Sequence, residues 1–370
     1  MTKKKKILYV VLCAVLAVLL VGGGVAWSFL PHPLNYNIRG IEAVGSSVEV
    51  TEQTDDSVTV RKKGTGDFKV LMFTDTHLDG KNKTSKLTVS HLVENIQKEK
   101  PDLVLLGGDN VTSGMNRKRC KQLGEIFEKL GVYWAGVIGN HEGDNPYSVT
   151  RTEMMDIFTS YDHCLMKKGL ADVTGDCNYA LHILNADGSM KETFFFMDTF
   201  DEVDAERRAE YGLPAEGTAY DGVRPDQVEW YTAKMQATKE TYGDFKSIML
   251  LHIPLPQMEQ AAEAGKFLYG GKLEGVCATA YEPGLFDAIK AGGSTQAVFF
   301  GHDHMNNFGL EVDGIVLSYI EPSGYGSYNT GNRLDYEEKD WLQGYTALIL
   351  HDDGTYDHSF KRNSADSPNK

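Results

Sequence analysis

Cysteine is scarce in this chain, which has five cysteines in 370 residues. This number excludes a small secreted domain that is held together by a dense disulfide framework. Cys164 and Cys177 could pair across a short loop in an oxidising compartment. Free buried thiols are an equally good interpretation, and the sequence leaves the choice open.

Outside the extreme N-terminus, few basic residues are clustered and none of the clusters suggests a basic groove, and the formal net charge is -15 at pH 7. A surface of this charge repels nucleic acid phosphates, so no extended nucleic acid binding is expected. Internal repeats and low-complexity tracts are absent as well. With 41% hydrophobic residues, the chain can bury one large core, and we expect one dominant globular domain.

The N-terminus has the pattern of a membrane anchor. A basic tip (residues 1–6, with Lys3 to Lys6) precedes an apolar segment (7–30) that is long enough to cross a bilayer as a helix. The positive-inside bias keeps the lysines in the cytoplasm, so we expect a single-pass protein of the cell membrane whose remaining chain is extracytoplasmic. A cleaved signal peptide, and hence secretion, is the alternative.

For the rest of the chain, the sequence predicts a linker and edge strand followed by an α/β domain. Residues 31–66 are interpreted as a linker and edge strand, 67–361 as the catalytic domain and 362–370 as a disordered tail. From Phe68 onward, continuous apolar runs alternate with amphipathic segments, which is typical of buried parallel strands with crossover helices. The expected helices are near 85–99, 117–130, 152–160 and 225–242, and hairpins are expected at Asp313-Gly314 and Asp353-Gly354.

Polar side chains follow five of these apolar runs, at the point where each predicted strand ends. The carboxyl ends of parallel strands are where ligands bind in α/β sheets, so these side chains should converge in space. Five of the eleven histidines in the chain are among them. The residues concerned are Asp75, His77, Asp109, Asn140, His141, His252, His302 and His304.

The chemistry of this set indicates metal binding. Carboxylates, imidazoles and an amide suit borderline divalent metals such as Mn, Fe or Zn, and the set contains no thiolate of the kind that structural zinc sites use. Seven ligands from this set are too many for one tetrahedral ion. Two divalent metal ions that share one carboxylate would use them all, and such a pair is suited to phosphoryl transfer.

The motifs "DTH", "GGDN", "GNHE", "LLHIP" and "GHDH" occur in this order between residues 75 and 304. This ordered set resembles the signature of the calcineurin-like metallophosphoesterase superfamily. The stretches "RPDQVEWY", "EGVCA", "GLFDAI" and "VFFGHDHMNNF" resemble its purple-acid-phosphatase-related branch. The resemblance implies an α/β fold, a four-layer αββα sandwich, here preceded by one N-terminal transmembrane helix.

The resemblance also implies a role for each residue. Asp75, His77 and His304 would hold one metal, and Asp109 would bridge it to a second metal. His141 would lie beside the scissile phosphate as a catalytic residue that is not a ligand. The second metal would be held by Asn140, His252 and His302.

One departure from the family concerns the position three residues after the bridging aspartate. True purple acid phosphatases have a tyrosine ligand there, and Ser/Thr phosphatases have an aspartate that orients the catalytic histidine. Here the position is Thr112, so the tyrosinate-to-iron colour should be absent and His141 needs another partner. The adjacent Glu142 is a candidate whose direction the sequence does not give.

Other polar residues receive ordinary interpretations. Asp198 is read as a loop-capping residue and Arg224 as half of a salt bridge, although a supporting role at the site and a phosphate contact are the respective alternatives. Tyr325 either lines the substrate cleft or belongs to a mobile surface loop. The remaining histidines are expected on the surface or satisfied in the core; they are His32, His91, His163, His182, His351 and His358.

The expected function is hydrolysis of phosphate monoesters, small or surface-displayed, by a hydroxide that the two metals supply. A phosphodiesterase acting on nucleotides or lipid head groups is the first alternative, because the same ligands serve both reactions. A non-catalytic scaffold is the second alternative. It is disfavoured because clustered ionisable groups without a metal would be costly.

Overall fold

The structure is a computed structural model that describes residue 34 and the ranges 36–79, 82–112, 116–144, 147–326 and 343–363. The predicted transmembrane segment, 7–30, lies outside these ranges. Among the described helices, none has both the length and the apolar character needed to span a bilayer.

The smaller of two sheets has five strands. Its parallel part consists of β3 (Phe68–Phe73), β4 (Leu103–Gly107) and β5 (Trp134–Val137). The hairpin of β13 (Gly344–Leu350) and β14 (Tyr356–Arg362) extends this part antiparallel, so that the order is β14-β13-β3-β4-β5. Paired residues that define the register are Leu71 with Val104, Leu105 with Ala135, and Leu348 with Val70.

The larger sheet has nine strands, which are β1 (Val48–Gln53), β2 (Ser57–Lys62), β6 (Tyr179–Leu184), β7 (Met190–Phe196), β8 (Ser247–Leu250), β9 (Phe267–Tyr269), β10 (Thr295–Phe300), β11 (Gly309–Val312) and β12 (Ile315–Tyr319). Their spatial order is β1-β2-β6-β7-β8-β10-β12-β11-β9. The central strands β7, β8, β10 and β12 are parallel, whereas both edges are antiparallel hairpins. Both sheets are therefore mixed.

The described α-helices are α1 (Asn82–Glu99), α2 (Asn116–Leu130), α3 (Arg151–Thr159), α4 (Ala205–Glu210), α5 (Pro225–Tyr242), α6 (Pro256–Glu263) and α7 (Leu285–Gly292). Local sequence explains several of their boundaries. Thr150 and Glu153 form a reciprocal capping box at the start of α3. Proline occupies the first position of α5 and of α6, where its missing N–H costs nothing.

Alternation along the strands of the larger sheet packs the domain in layers. Phe194, Phe196 and Leu250 belong to the same buried cluster as the smaller sheet and helices α1 to α3. Their neighbours Phe195 and Met249 point the other way, into a second cluster with α5, α6 and α7. Successive side chains of a strand face opposite sides, so the larger sheet contacts the smaller sheet on one face and helices on the other. The α/β sandwich is confirmed.

Several expectations about single elements can be checked directly. The two hairpins turn at Asp313-Gly314 and Asp353-Gly354 as predicted. Helix α5 has the predicted bounds, and α1, α2 and α3 differ from their predictions by one to three residues. Residues 31–66 were predicted as a linker and edge strand. Within them, β1 and β2 form a hairpin at the edge of the larger sheet, where β2 pairs in parallel with β6.

Candidate metal centre

Strands from both sheets deliver the predicted ligands to one place. Asp75 and His77 follow β3, Asp109 follows β4 and Asn140 follows β5, all in the smaller sheet. The larger sheet contributes the residues after β8 and β10, which are His252, His302 and His304. All seven side chains are buried, although polar and ionisable side chains are normally exposed to water.

The carboxylates and histidines form two groups whose ligand atoms lie within 4.8 Å of one another. In the first group, His304 Nε2 lies 3.0 Å from His77 Nε2 and 3.3 Å from Asp75 Oδ1. Asp109 Oδ2 lies 3.5 Å from His77 Nε2 and completes this group. The predicted ligands of one metal are therefore together.

The second group contains Asp109, His252 and His302. His252 Nε2 lies 3.3 Å from Asp109 Oδ2 and 3.0 Å from the side-chain oxygen of Asn140, which places the amide at the same position. The other ring nitrogen of His252, Nδ1, is 2.8 Å from the carbonyl oxygen of Gly107. A histidine held in this way presents Nε2 as its ligand atom.

Asp109 belongs to both groups and is fully buried. Its Oδ1 accepts a hydrogen bond from the backbone N–H of His141 at 2.8 Å, which fixes the carboxylate. Its Oδ2 has no hydrogen-bond partner and lies between His77 and His252. This is the geometry expected of a carboxylate that bridges two cations.

The backbone at the site adopts conformations that non-glycine residues seldom use. The φ angles are 52° at Asp75, 40° at His77, 50° at Asp109 and 76° at His302. Each such residue costs of order 1–3 kcal/mol, and residues of this kind concentrate at functional sites. The strain shows that the strand ends are shaped for the position of these side chains at the expense of stability.

Glycines in the motifs provide the room that the ligands need. A Cβ on Gly139 would lie 2.1 Å from Asp109 Oδ1 and 2.7 Å from His252 Nε2. A Cβ on Gly108 would lie 2.4 Å from His252 Nδ1, and this residue also has a φ of 98°. Any side chain at these positions would displace the ligands.

Burial and charge set the protonation of the ligands. Burial lowers the pKa of His77 and of His302 to about 3, so both are neutral, as metal binding requires. Burial opposes ionisation of Asp75, but the neighbouring His304 and His252 outweigh it and lower the pKa to about 2. For His252, burial is outweighed by Asp109, which raises the pKa to about 10, so a bound cation must displace a proton from this ring.

The fit of this site to two cations can be judged from the protein alone. Two imidazole nitrogens, those of His77 and His304, face each other at 3.0 Å. Asp109 Oδ2 and His302 Nδ1 are buried with no hydrogen-bond partner, which is costly for polar atoms. Divalent ions would satisfy all of these atoms, and the mixed oxygen and nitrogen donors suit Mn, Fe or Zn.

His141 lies beside the first group, with its ring 5.5 Å from that of His77, and its side chain is 41% exposed. Its Nδ1 lies 2.5 Å from Asp144 Oδ2, so Asp144 is the partner that replaces the aspartate missing at Thr112. Burial lowers the pKa of His141, but the Asp144 hydrogen bond and the charge of Asp109 raise it to about 9. Sequence reasoning missed Asp144, although it stands three residues after His141.

Glu142 turns inward, which settles the question that the sequence left open. Its carboxylate accepts hydrogen bonds from the backbone N–H groups of Asn110 at 2.7 Å and Gly139 at 3.0 Å. It therefore joins the loops after β4 and β5 rather than serving His141. Burial and the charge of Asp109 raise the pKa of Glu142 to about 8.

Two of the ordinary interpretations agree with the contacts observed. Asp198 accepts a hydrogen bond from the N–H of Phe200 at 2.9 Å in its own loop and also pairs with Arg151. Arg224 pairs with Asp221, and its guanidinium lies 4.4 Å from the centre of the Phe200 ring.

Tyr325 does not lie in open solvent, and residues 327–332 of its loop lie outside the described residues. The residue is buried, with 8% of its surface exposed, and its ring stacks on His91 of α1 at 5.5 Å. Its backbone N–H also donates to Thr88 Oγ1 at 3.0 Å. The loop after β12 therefore directs this ring onto α1.

The histidines outside the motifs also have ordinary environments where the structure describes them. His163 pairs with Glu128, and His182 lies 3.1 Å from Thr193 Oγ1. His351 pairs with Asp67 and Asp357, and His358 packs among aromatic rings. His32 lies outside the described residues.

The four cysteines within the described residues are free thiols, so Cys164 and Cys177 are not paired. Cys277 is the exposed one and lies at the edge of the metal centre. Tyr220 closes the same edge, because its ring packs edge-on against His302 at 4.3 Å. Neither residue was singled out from the sequence.

Comparison with known proteins agrees with this geometry. Residues 68–306, well over half of the chain, match the calcineurin-like phosphoesterase family. The chain belongs to the calcineurin-like phosphoesterase family. The matched segment contains every predicted ligand of the metal centre.

Relatives place the chain at a distance from purple acid phosphatases. It is 28% identical to probable inactive purple acid phosphatase 14 of Arabidopsis thaliana, over 71% of this chain and 72% of that protein. It is 24% identical to probable inactive purple acid phosphatase 28 of the same plant, over 82% and 80%. A dimetal phosphatase from Danio rerio superimposes with a TM-score of 0.47 at 15% identity, covering 80% of this chain and 99% of that one.

Proposed function

We propose that the chain is a membrane-anchored, extracytoplasmic phosphoesterase that hydrolyses phosphate monoesters with two divalent metal ions. The observation that carries this proposal is the pair of buried ligand groups that share Asp109 Oδ2. Asp75, His77 and His304 would hold one ion, and Asn140, His252 and His302 would hold the other, with Asp109 between them. Two ions so placed supply Lewis acidity and a nucleophile from water near neutral pH.

The residues around the ligands have defined tasks. The carbonyl oxygen of Gly107 holds His252 through its Nδ1. The N–H of His141 fixes the orientation of the Asp109 carboxylate, which would be shared by the two ions. These contacts fix the ligand atoms before substrate arrives, and such preorganisation is the main source of catalytic power in phosphoryl transfer.

His141 would supply a proton to the leaving oxygen. Asp144 occupies its Nδ1, which leaves Nε2 to face the substrate, and the side chain is exposed enough to be reached. The hydrogen bond to Asp144 favours the protonated, positively charged ring. It would therefore both stabilise negative charge on the phosphate and protonate a poor leaving group.

The names of the two plant relatives describe those proteins as probably inactive. In this chain, the complete ligand set and His141 favour an enzyme over a scaffold. Without cations, the burial of seven clustered polar groups would destabilise the fold, and no metal–ligand bonds would compensate. The scaffold is therefore the outcome to be tested against.

The test is hydrolysis of p-nitrophenyl phosphate and bis-p-nitrophenyl phosphate by the full-length chain with Mn, Fe or Zn. Faster turnover of the monoester, lost in Asp109→Asn, is expected. The exposed Asp244, which pairs with Lys239 on the surface, provides the matched control Asp244→Asn, which should keep full activity. Faster diester turnover would favour the phosphodiesterase, and no turnover with any of the three metals would favour the scaffold.

The anchor is tested separately by immunoblotting of membrane and medium fractions with an antibody to the catalytic domain. A full-length chain in the membrane fraction that is degraded by protease added outside intact cells is expected. A shortened, freely released chain would replace the anchor with a cleaved signal peptide, and protection from the protease would overturn the extracytoplasmic location.

A further inference from the structure

We propose that Cys277, His302 and Asp303 form an accessory site for a thiophilic divalent cation, and that this site shares His302 with the metal centre. Each of the three residues offers one ligand atom, and the three atoms lie within 4.8 Å of one another. A thiolate, an imidazole and a carboxylate are ligands that zinc uses, and three protein ligands leave a position open for water.

The parts of the site are held in place by independent contacts. The backbone N–H of Cys277 donates to Asp303 Oδ2 at 3.1 Å, which ties the loop that carries the thiol to the motif after β10. The hydroxyl of Tyr319 donates to the same oxygen. Asp303 is 4% exposed and is therefore a fixed carboxylate beside a thiol that solvent reaches.

His302 is the ligand for which the accessory site and the metal centre would compete. It is 6% exposed, and its Nδ1 is buried with no hydrogen-bond partner. Because it belongs both to the group with Asp109 and to the group with Cys277, it lies at the junction of the two sites. The ring of Tyr220, packed edge-on at 4.3 Å, limits its rotation.

The surrounding charge favours a cation at this position. Within the described residues, the carboxylate of Glu274 lies near Cys277 and is fixed by the N–H of Met305, which donates to it at 2.8 Å. A soft thiolate selects zinc or cadmium over manganese, which prefers oxygen ligands. The metal centre itself has no thiolate, so the two sites differ in the metals that they select.

Occupancy of the accessory site has a consequence for the metal centre. When the cation binds, the thiol of Cys277 releases its proton to solvent and a sulfur-to-metal bond forms. The same cation takes His302 from the second metal, which would then bind more weakly. Thiophilic cations would therefore displace a metal from the pair through Cys277.

The experiment titrates Cd²⁺ into the full-length chain loaded with Mn²⁺ and records thiolate-to-cadmium absorbance in the ultraviolet together with protein-bound manganese. We expect absorbance that saturates at one equivalent of Cd²⁺ while one manganese is released. Cys277→Ser should abolish the absorbance, and Cys164→Ser should retain it. Asp303→Asn, which keeps an oxygen acceptor for Tyr319, should weaken Cd²⁺ binding at least about tenfold.

Each outcome decides the proposal without any hydrolysis being measured, so it stays separate from the proposed function. Absorbance that is missing in the wild type, or that persists in Cys277→Ser, would overturn the site. If Asp303→Asn bound Cd²⁺ with the wild-type affinity, Cys277 would be an ordinary surface thiol, and the proposed site would be overturned as well. The thermal midpoint of each Mn²⁺-loaded variant shows that the variant is folded.

Discussion

Gly139→Ala is a small change that should disable the metal centre. The φ angle of Gly139 is outside the region that favours glycine, so alanine adds no backbone strain there. Its Cβ would lie 2.1 Å from Asp109 Oδ1, whereas ordinary contacts begin at 3.4 Å. The difference, about 1.3 Å, is the distance by which the carboxylate or the loop must move.

A displacement of this size has consequences that can be estimated. A misplacement of about 1 Å near reacting groups costs about 10²-fold in rate. Disturbing the support of a metal ligand costs about 10–100-fold in metal affinity. We therefore expect kcat/KM for p-nitrophenyl phosphate to fall about 10²-fold, with metal binding weakened as measured by titration.

Gly143→Ala is the matched control in the same loop. The nearest atom to its Cβ would be Asp201 Oδ2 at 3.8 Å, an ordinary contact, so activity within about threefold of wild type is expected. If Gly139→Ala also kept activity within about threefold, the close packing of Gly139 against Asp109 and His252 would not be the working geometry, and the reasoning would be refuted.

Three further predictions concern the surroundings of the centre. Glu142→Ala removes the acceptor of two buried N–H groups, those of Asn110 and Gly139, and should lower the free energy of unfolding in urea by about 2–4 kcal/mol. A loss below about 1 kcal/mol would show that Glu142 does not hold the loops after β4 and β5 together. His141→Ala should slow an alkyl phosphate more than p-nitrophenyl phosphate, with Asp144→Asn showing the same pattern more weakly, and equal losses on both substrates would remove the proton-donor role. Chelation of the metals should lower the thermal midpoint, since a ligand at 100 times its Kd adds about 2.7 kcal/mol, and an unchanged midpoint would argue against bound metal.

Much of the site could be predicted because its ligands stand at the ends of apolar runs. His252 follows "SIMLL" and Asp109 follows "LVLLGG", so strand prediction alone places each at the carboxyl edge of a sheet. The predicted end of a strand locates the residue that follows it to within one or two positions along the chain. This precision was enough to predict which side chains meet, although the left-handed φ at Asp109 was invisible in the sequence.

The residues that were missed lie in irregular loops, where no periodic sequence pattern indicates which way a side chain points. Asp144 reaches His141 only because residues 141–143 form a 3-10 turn, and Glu142 faces inward for the same reason. Tyr325 shows the converse case. Its place after β12 gave the correct end of the sheet, but packing against His91 decided where the ring points.

The fold likewise has features that local sequence patterns predicted and features that they did not. Apolar runs predicted the parallel strands of both sheets, because buried strands are apolar on both faces. The pairing of β2 with β6 was not predictable, since 123 residues separate the paired positions and no local signal connects them. The short helices α6 and α7 were missed because helices of about two turns carry few periodic residues.

The most direct test of the account is the metal content of the purified full-length chain, measured by elemental analysis after equilibration with Mn²⁺, Fe²⁺ or Zn²⁺ and removal of unbound metal. The account predicts two ions per wild-type chain and a loss of metal in Asp109→Asn, because one oxygen of Asp109 lies within both ligand groups. One ion or none in the wild type, or two ions retained in Asp109→Asn, would contradict the shared carboxylate.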